Sequence, residues 1–293
     1  VESETTRPPE PQEELTETVV VSSEQSDANN TPPPAEAPFD SDQAKSYQEA
    51  WAEHLRVGVE VTNSIGMKLR VIPPGTFTMG EENDAHEVTL TKPFILGAFE
   101  VTQEQYEQVM GVNPSNVKGA KNPVETVSWA DAVEFCRKLS EHPAEKTAGR
   151  VYRLPTEAEW EFACRAGTTT RFHFANNISA IGQHGWFSEN SKAQTQPVGS
   201  KQSNPLGLHD MHGNVWEWCK DGYGSYLRGR ATDPIGAVNA RHVVARGGGF
   251  RDPSTKRGGS ADRHYDSRST KKFTSGFGFA CLRLAINLVL VPM

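Results

Sequence analysis

Apolar side chains recur at helical spacing early in the chain and then switch to strand spacing. Ala44, Tyr47, Ala50, Trp51 and Leu55 fall at i, i+3 and i+4 intervals and predict a helix from Ser41 to Leu55. Met67 to Ile72 alternates as a strand does and stops at Pro73-Pro-Gly75, a turn signal. Phe77 to Met79 and Glu87 to Leu90 predict further short strands, and Phe94 to Val101 is a longer apolar run. Three helix starts are marked by polar caps. Thr102 with Gln105 forms a capping box for a helix ending at Gly111, and Thr156 with Glu159 forms another, preceded by Pro155 and closed by Gly167. Ser128 caps a helix whose apolar side carries Trp129, Ala132, Val133, Phe135, Cys136 and Leu139. Beyond Gly167 the chain is punctuated by Gly and Pro, and no internal repeat is visible. Few helices, short strands and many turns predict an irregular α+β fold.

Composition divides the chain unevenly. Hydrophobic residues make up 36% of the 293, which is low for a wholly globular chain. Residues 1–45 hold 11 Asp/Glu and 2 Lys/Arg, a net of −9, while the other 248 net +2. Residues 1–40 are rich in Glu, Pro, Ser and Thr and cannot bury enough surface to offset their ordering entropy, so an acidic disordered linker is expected there. Residues 41–58 are expected to be a short helical lead-in and 59–293 the globular domain. The near-neutral body gives no basic field for nucleic acid. No stretch approaches the roughly 18 apolar residues of a membrane span. The run Leu284 to Met293 is expected to be a last strand or a tail. Starting on Val1, the chain is expected to be processed or a fragment.

Chemistry enters through a set of ordered segments. They are Asn63-Ser-Ile-Gly-Met67, Pro73-Pro-Gly-Thr-Phe-Thr-Met-Gly80, Glu100-Val-Thr-Gln103 and Pro123-Val-Glu-Thr-Val-Ser-Trp129, followed by Arg153-Leu-Pro-Thr-Glu-Ala-Glu-Trp-Glu161, the stretch Gly207 to Trp218, and Arg246-Gly-Gly-Gly-Phe250. Together they resemble the formylglycine-generating-enzyme (sulfatase-modifying-factor) family over about residues 60–285. The resemblance implies a C-type-lectin-like fold with little regular secondary structure. It also implies a calcium site with the side chains of Asp210 and Glu217 and the carbonyls of Gly213 and Val215 as ligands. Carboxylates in a Gly-rich loop suit that hard cation, although Asp210 and Glu217 can equally stitch a loop by hydrogen bonds. A second calcium site common in the family is not expected, because residues 184–200 contain no Asp.

The family's oxidase needs two thiolates five residues apart to hold copper(I), and in this register those positions are Asp252 and Arg257, with Gly249 in place of a serine. Neither replaces a thiolate, so copper is not expected. The resemblance also implies a Cys136–Cys281 disulfide, against the alternative of two buried thiols. Cys164 is expected to be unbridged or paired with Cys219, because its family partner position is Asp262. No C-x-x-C or H-E-x-x-H pattern occurs.

Arg251, Asp252, Arg257, Asp262, Arg263 and His264 occupy the former active-site region. They are expected either to line a binding groove or to form a solvated loop of weak surface ion pairs. The expected function is therefore a non-catalytic, calcium-stabilised module, probing a protein or glycan ligand or serving a structural assembly, in an extracytoplasmic compartment. The alternative is an enzyme with a rebuilt, copper-independent site acting on protein cysteine or another substrate.

Overall fold

The computed structural model describes residues 31–226, 228–271, 280–281 and 283–287. In chain order its elements begin β1 (Ala35–Glu36), α1 (Ser41–His54), β2 (Glu60–Thr62), β3 (Lys68–Ile72), β4 (Gly75–Met79), β5 (His86–Leu90) and β6 (Phe94–Gly97). Then follow α2 (Gln103–Met110), α3 (Trp129–Glu141), α4 (Pro143–Thr147), β7 (Val151–Arg153), α5 (Glu157–Arg165) and α6 (Ile181–His184). The remainder is strands: β8 (Gly185–Trp186), β9 (His212–Gly213), β10 (Trp216–Gly222), β11 (Ala231–Thr232), β12 (His242–Arg246), β13 (Arg263–Ser267), β14 (Ala280–Cys281) and β15 (Ala285–Asn287).

The helix caps fall where local chemistry puts them. Thr102 and Gln105, Ser128 and Asp131, and Thr156 and Glu159 each form a reciprocal capping box. Asp40 does the same with Gln43 at the start of α1. Each cap satisfies amide groups that the first turn leaves without partners. Gly167 follows α5 at φ +93°, and a Cβ there would strike the Phe39 ring 2.3 Å away, so the site demands glycine on two counts.

Strands combine into sheets ordered β2-β3-β6-β15-β7, β1-β4-β5-β11 and β13-β12-β10-β14, with β8 and β9 as a small pair. The five-stranded sheet separates two hydrophobic cores. Ile95 of β6 packs with Trp51, Leu69, Val71, Phe135 and Trp218 on one side. Its neighbours Phe94 and Leu96 pack with Phe77, Trp160, Phe162 and Leu206 on the other. A strand buried on both faces reads as a continuous apolar run, which is the pattern of Phe94 to Leu96. The expected terminal strand is β15, which pairs antiparallel with both β6 and β7; residues 288–293 lie outside the described residues.

The linker boundary expected at residue 40 needs correction. The compact body begins at Pro32. Ala35 is fully buried, β1 pairs in parallel with β4, and the Trp51 indole donates to the Pro33 carbonyl at 3.0 Å. Phe39 packs edge-on against Tyr47 and Phe162. Averaging over a Pro- and Glu-rich stretch hid the two apolar side chains that anchor it. Among the described residues no helix is long and apolar enough to cross a membrane.

Candidate functional site

Three buried carboxylates, Asp210, Glu100 and Glu217, lie within electrostatic reach of one another. Asp210, at φ +57°, turns its side chain inward, and Oδ2 accepts from the Gly199 amide at 2.7 Å. Its other oxygen, Oδ1, is buried and without a partner. Glu100 is buried beside it and accepts from Asn214 Nδ2 at 2.8 Å and the Val215 amide at 3.3 Å. Glu217 projects from β10 and is held by Trp160 Nε1 at 2.8 Å and by a two-pronged Arg283 guanidinium, both prongs at 2.8 Å. Arg283 also donates to the carbonyls of Gly97 and His209. Burial, then Asp210 and Glu217, hold the Glu100 carboxyl well above the ordinary range. Burial pushes Asp210 up to about 6, with Glu217 adding to it and the Gly199 amide and Arg283 opposing.

One guanidinium faces three buried carboxylates, and Asp210 Oδ1 is a buried acceptor without a partner. Both features fit a cation. The expected ligand set is assembled only in part. Glu217 spends its oxygens on Arg283 and Trp160, the loop-stitching role foreseen as the alternative. Among the described residues, no three His, Cys, Asp or Glu side chains converge as a metal-binding group. The groups that the family resemblance assigns to calcium are then Asp210 and the carbonyls of Gly213 and Val215, with Glu100 as a further buried carboxylate. Glu100 and Arg283 were missed from sequence, since neither lies in the Asp210-to-Glu217 stretch.

A second cluster forms under the Arg246-to-Arg257 loop. Asp252 is buried, and its Oδ2 accepts from Trp216 Nε1 at 2.7 Å and the Gly249 amide at 2.8 Å. A Cβ on Gly249 would lie 3.3 Å from the Trp216 ring and 3.4 Å from that carboxylate, so glycine makes room for the contact. Burial pushes Asp252 up to about 6. His264 tilts against the Trp216 ring at 5.1 Å, and burial, then Arg257, lowers its pKa. Asp262 accepts from the Gly259 amide at 2.8 Å, and Arg251 lies over the Phe250 ring at 5.5 Å. Arg263 does not join them. Successive side chains on a strand point to opposite faces, so Arg263 leaves β13 on the side away from His264. It forks onto Glu157 at 2.6 and 2.8 Å and lies over Tyr223 and Tyr226. Its place in the expected groove is therefore corrected.

The family profile of the "Sulfatase-modifying factor enzyme 1-like domain" matches residues 61–285. The chain belongs to this family. Its relatives include "Chaperone protein LppX" of Paenibacillus barcinonensis, 33% identical over 196 residues, covering 52% of this chain and 70% of that protein. The formylglycine-generating enzyme of Mus musculus is 34% identical over 153 residues, 48% of this chain but only 38% of the enzyme. Among solved structures, "Treponema denticola variable protein 1" superposes with a TM-score of 0.70 at 27% identity, covering 78% of this chain and 99% of that one. PvdO from Pseudomonas aeruginosa gives 0.67 at 26%, covering 79% and 98%. The architecture is the irregular, C-type-lectin-like α+β fold expected from the sequence.

Within this sulfatase-modifying-factor domain burial disfavours the thiolate form of three cysteines. Cys136, Cys164 and Cys219 are buried and free. Burial pushes Cys136 and Cys164 each up to about 12 and raises Cys219 further from thiolate formation. The expected Cys136–Cys281 bridge thus finds no support on the Cys136 side; the Cys281 side chain lies outside the described residues. Cys164 is unbridged, as one alternative held. Histidines read as scattered in sequence form a stack: His173 lies parallel to His212 at 4.9 Å and its Nε2 is 3.2 Å from His184 Nδ1. The His212 Nδ1–H donates to the Gly258 carbonyl at 2.7 Å, and its Nε2 accepts the His173 amide at 3.3 Å, which fixes a neutral ring.

Proposed function

We propose that this chain is a binding module held in shape by calcium, with no oxidase chemistry of its own, working outside the cytoplasm on a protein or glycan partner. What carries this reading is Asp252. At one of the two positions that the family resemblance assigns to copper thiolates, this chain has a carboxylate that is buried and used as a brace between Trp216 and Gly249. At the other, Arg257 has no lone pair to offer. The residues present do not fit copper(I).

Calcium is the ion the carboxylate pocket suits. When bound, it would neutralise Asp210 and fix the turn between Asp210 and Val215, which adjoins the Trp216 that carries Asp252. Loops held this way present a fixed surface, as a recognition module requires. The compartment follows from the same ion, because extracellular modules take calcium at roughly 10⁻⁴ to 10⁻³ M, far above cytosolic levels. The relative named as a chaperone favours a polypeptide over a glycan as the partner.

A second reading has one observation behind it. Asp252, pushed up to about 6, has the protonation range of a general acid or base, which a rebuilt modifying enzyme would use. One experiment tests the non-catalytic reading against oxidation of a protein cysteine. The protein is incubated with copper(I), oxygen and a Cys-x-Pro-x-Arg peptide, and the peptide is read by mass spectrometry. No conversion is expected; formylglycine in the peptide would overturn the non-catalytic reading.

A further inference from the structure

The face of β13 turned away from His264 has no role in either cluster, and its surface differs from the rest of the molecule. Among the described residues six large apolar side chains are exposed, and three of them belong here: Ile235 at 62%, Val238 at 78% and Tyr265 at 44%. They sit on neighbouring segments. The loop carrying Ile235 and Val238 is pinned to the end of β10 by a Gly222–Gly236 bridge and by the Ala237 amide donating to the Gly222 carbonyl at 3.0 Å. Tyr265 stacks on Tyr223 at 4.1 Å and meets His242 at 5.2 Å, while the Tyr223 amide donates to the His242 carbonyl at 2.9 Å. From beneath, Arg263 lies over Tyr223 at 4.7 Å and is itself forked onto Glu157. The aromatic ring is therefore backed by a partly buried ion pair, and the aliphatic loop by main-chain bonds. Side chains fixed before a partner arrives cost less to immobilise on binding.

The charge along this part of the chain is one-sided. In residues 220–271 nine Lys and Arg are exposed and a single carboxylate, Asp233. Both Asp233 oxygens already accept from Thr91, at 2.9 and 2.5 Å. Glu87 pairs with Arg230 and Asp131 with Lys271. The near-neutral balance of the body therefore conceals a segregated positive stretch, with Arg241 exposed beside His242.

We propose that the Tyr223–Tyr265–His242 platform, with Ile235, Val238 and Arg241 at its rim, is a docking surface for an acidic polypeptide segment bearing aromatic or aliphatic side chains. The proposal rests on the reading of the chain as a binding module and names that module's partner class. Aromatic and Arg side chains are the residues that carry interface energy, and the positive rim selects acidic partners and speeds encounter. Nucleic acid also meets basic and aromatic surfaces, but two exposed branched aliphatics offer it little, and they suit the apolar side chains of a polypeptide.

The test uses the full chain, a labelled glutamate–tyrosine random copolymer and labelled oligothymidylate, followed by fluorescence anisotropy. The copolymer should bind, weakening roughly tenfold between about 50 mM and about 300 mM NaCl. The double variant Val238→Asp, Arg241→Glu alters only exposed side chains; it should keep the wild-type melting temperature and bind at least roughly tenfold more weakly. Arg257→Glu, beside Asp252, should bind as the wild type does. Unaltered binding by the double variant, equal or tighter binding of oligothymidylate, or no copolymer binding would each overturn the proposal. Loss confined to Arg257→Glu would also overturn it, while leaving the binding-module reading intact and moving the partner to the Asp252 cluster.

Discussion

At the scale of single residues, buried charge decides more than surface charge. Arg283 and Glu217 are both fully buried and meet through two hydrogen bonds. Glu217→Gln keeps the volume and an acceptor for Trp160 but leaves a guanidinium uncompensated. It should destabilise the fold by about 3–5 kcal/mol, read as a lower urea midpoint at unchanged slope; a loss below about 1 kcal/mol, the range of exposed pairs, would mean that solvent reaches the pair. His173 makes a pH prediction. Burial, with His212 and His184 as like-charged neighbours on protonation, holds it down to about 2. A lowered histidine stays neutral in the fold while the unfolded chain takes up a proton near 6.5, so its contribution turns against the fold as pH falls through that value. Stability of His173→Phe relative to the wild type should therefore rise by about 2 kcal/mol from about pH 7.5 to about pH 5. Urea melts at the two pH values would show it, and a difference that does not move with pH would refute the burial argument. Asp210, Asp221 and Asp252 are raised instead and work in the opposite direction over acidic pH, which is why the comparison is between variants rather than of the wild type alone.

At the scale of elements, what was legible in the sequence was what local chemistry determines. Thr102, Ser128 and Thr156 mark helix starts because a cap and its partner lie three residues apart, and all three caps formed. The strands β8 to β14 were not legible, being two to seven residues long and paired over long sequence distances, as with Ala231 and Val88 or Trp216 and Ala280. The same limit explains Arg263: without a strand assignment for 263–267, nothing set it on the other face from His264. Residues 32–40 were misjudged because two buried side chains do not outweigh six polar or Pro neighbours in an average. Phe39 gives the element its measurable consequence. It packs on Phe162 and covers Gly167, so Phe39→Ala should cost about 3–5 kcal/mol, the range for a core aromatic. Wild-type stability in that variant would mean that the segment only drapes over the body.

At the scale of the whole molecule, the carboxylate pocket ties together segments that lie far apart along the chain. Glu100 follows β6, Glu217 lies on β10, Asp210 and Gly199 come from long loops, and Arg283 precedes β15 and reaches back to Gly97 and His209. Half of that constellation was visible in sequence as Asp210 and Glu217; Glu100 and Arg283 stood too far away along the chain to be read as partners. A cation at Asp210 would act on every segment at once, and a ligand bound only by the folded state stabilises the whole fold by mass action. At a hundredfold excess over its dissociation constant the gain is about 2.7 kcal/mol, or about 5–10 °C in Tm for a chain of this size. Calcium should raise the melting temperature by that order, a chelator should reverse it, and Asp210→Asn should melt identically with and without calcium. The effect should fade as pH falls through about 6, because a protonated Asp210 cannot bind the ion. A melting temperature indifferent to calcium in the wild type at neutral pH would mean that Asp210 and Glu100 share a proton in place of a metal, and that the pocket holds its segments together by hydrogen bonds and Arg283 alone.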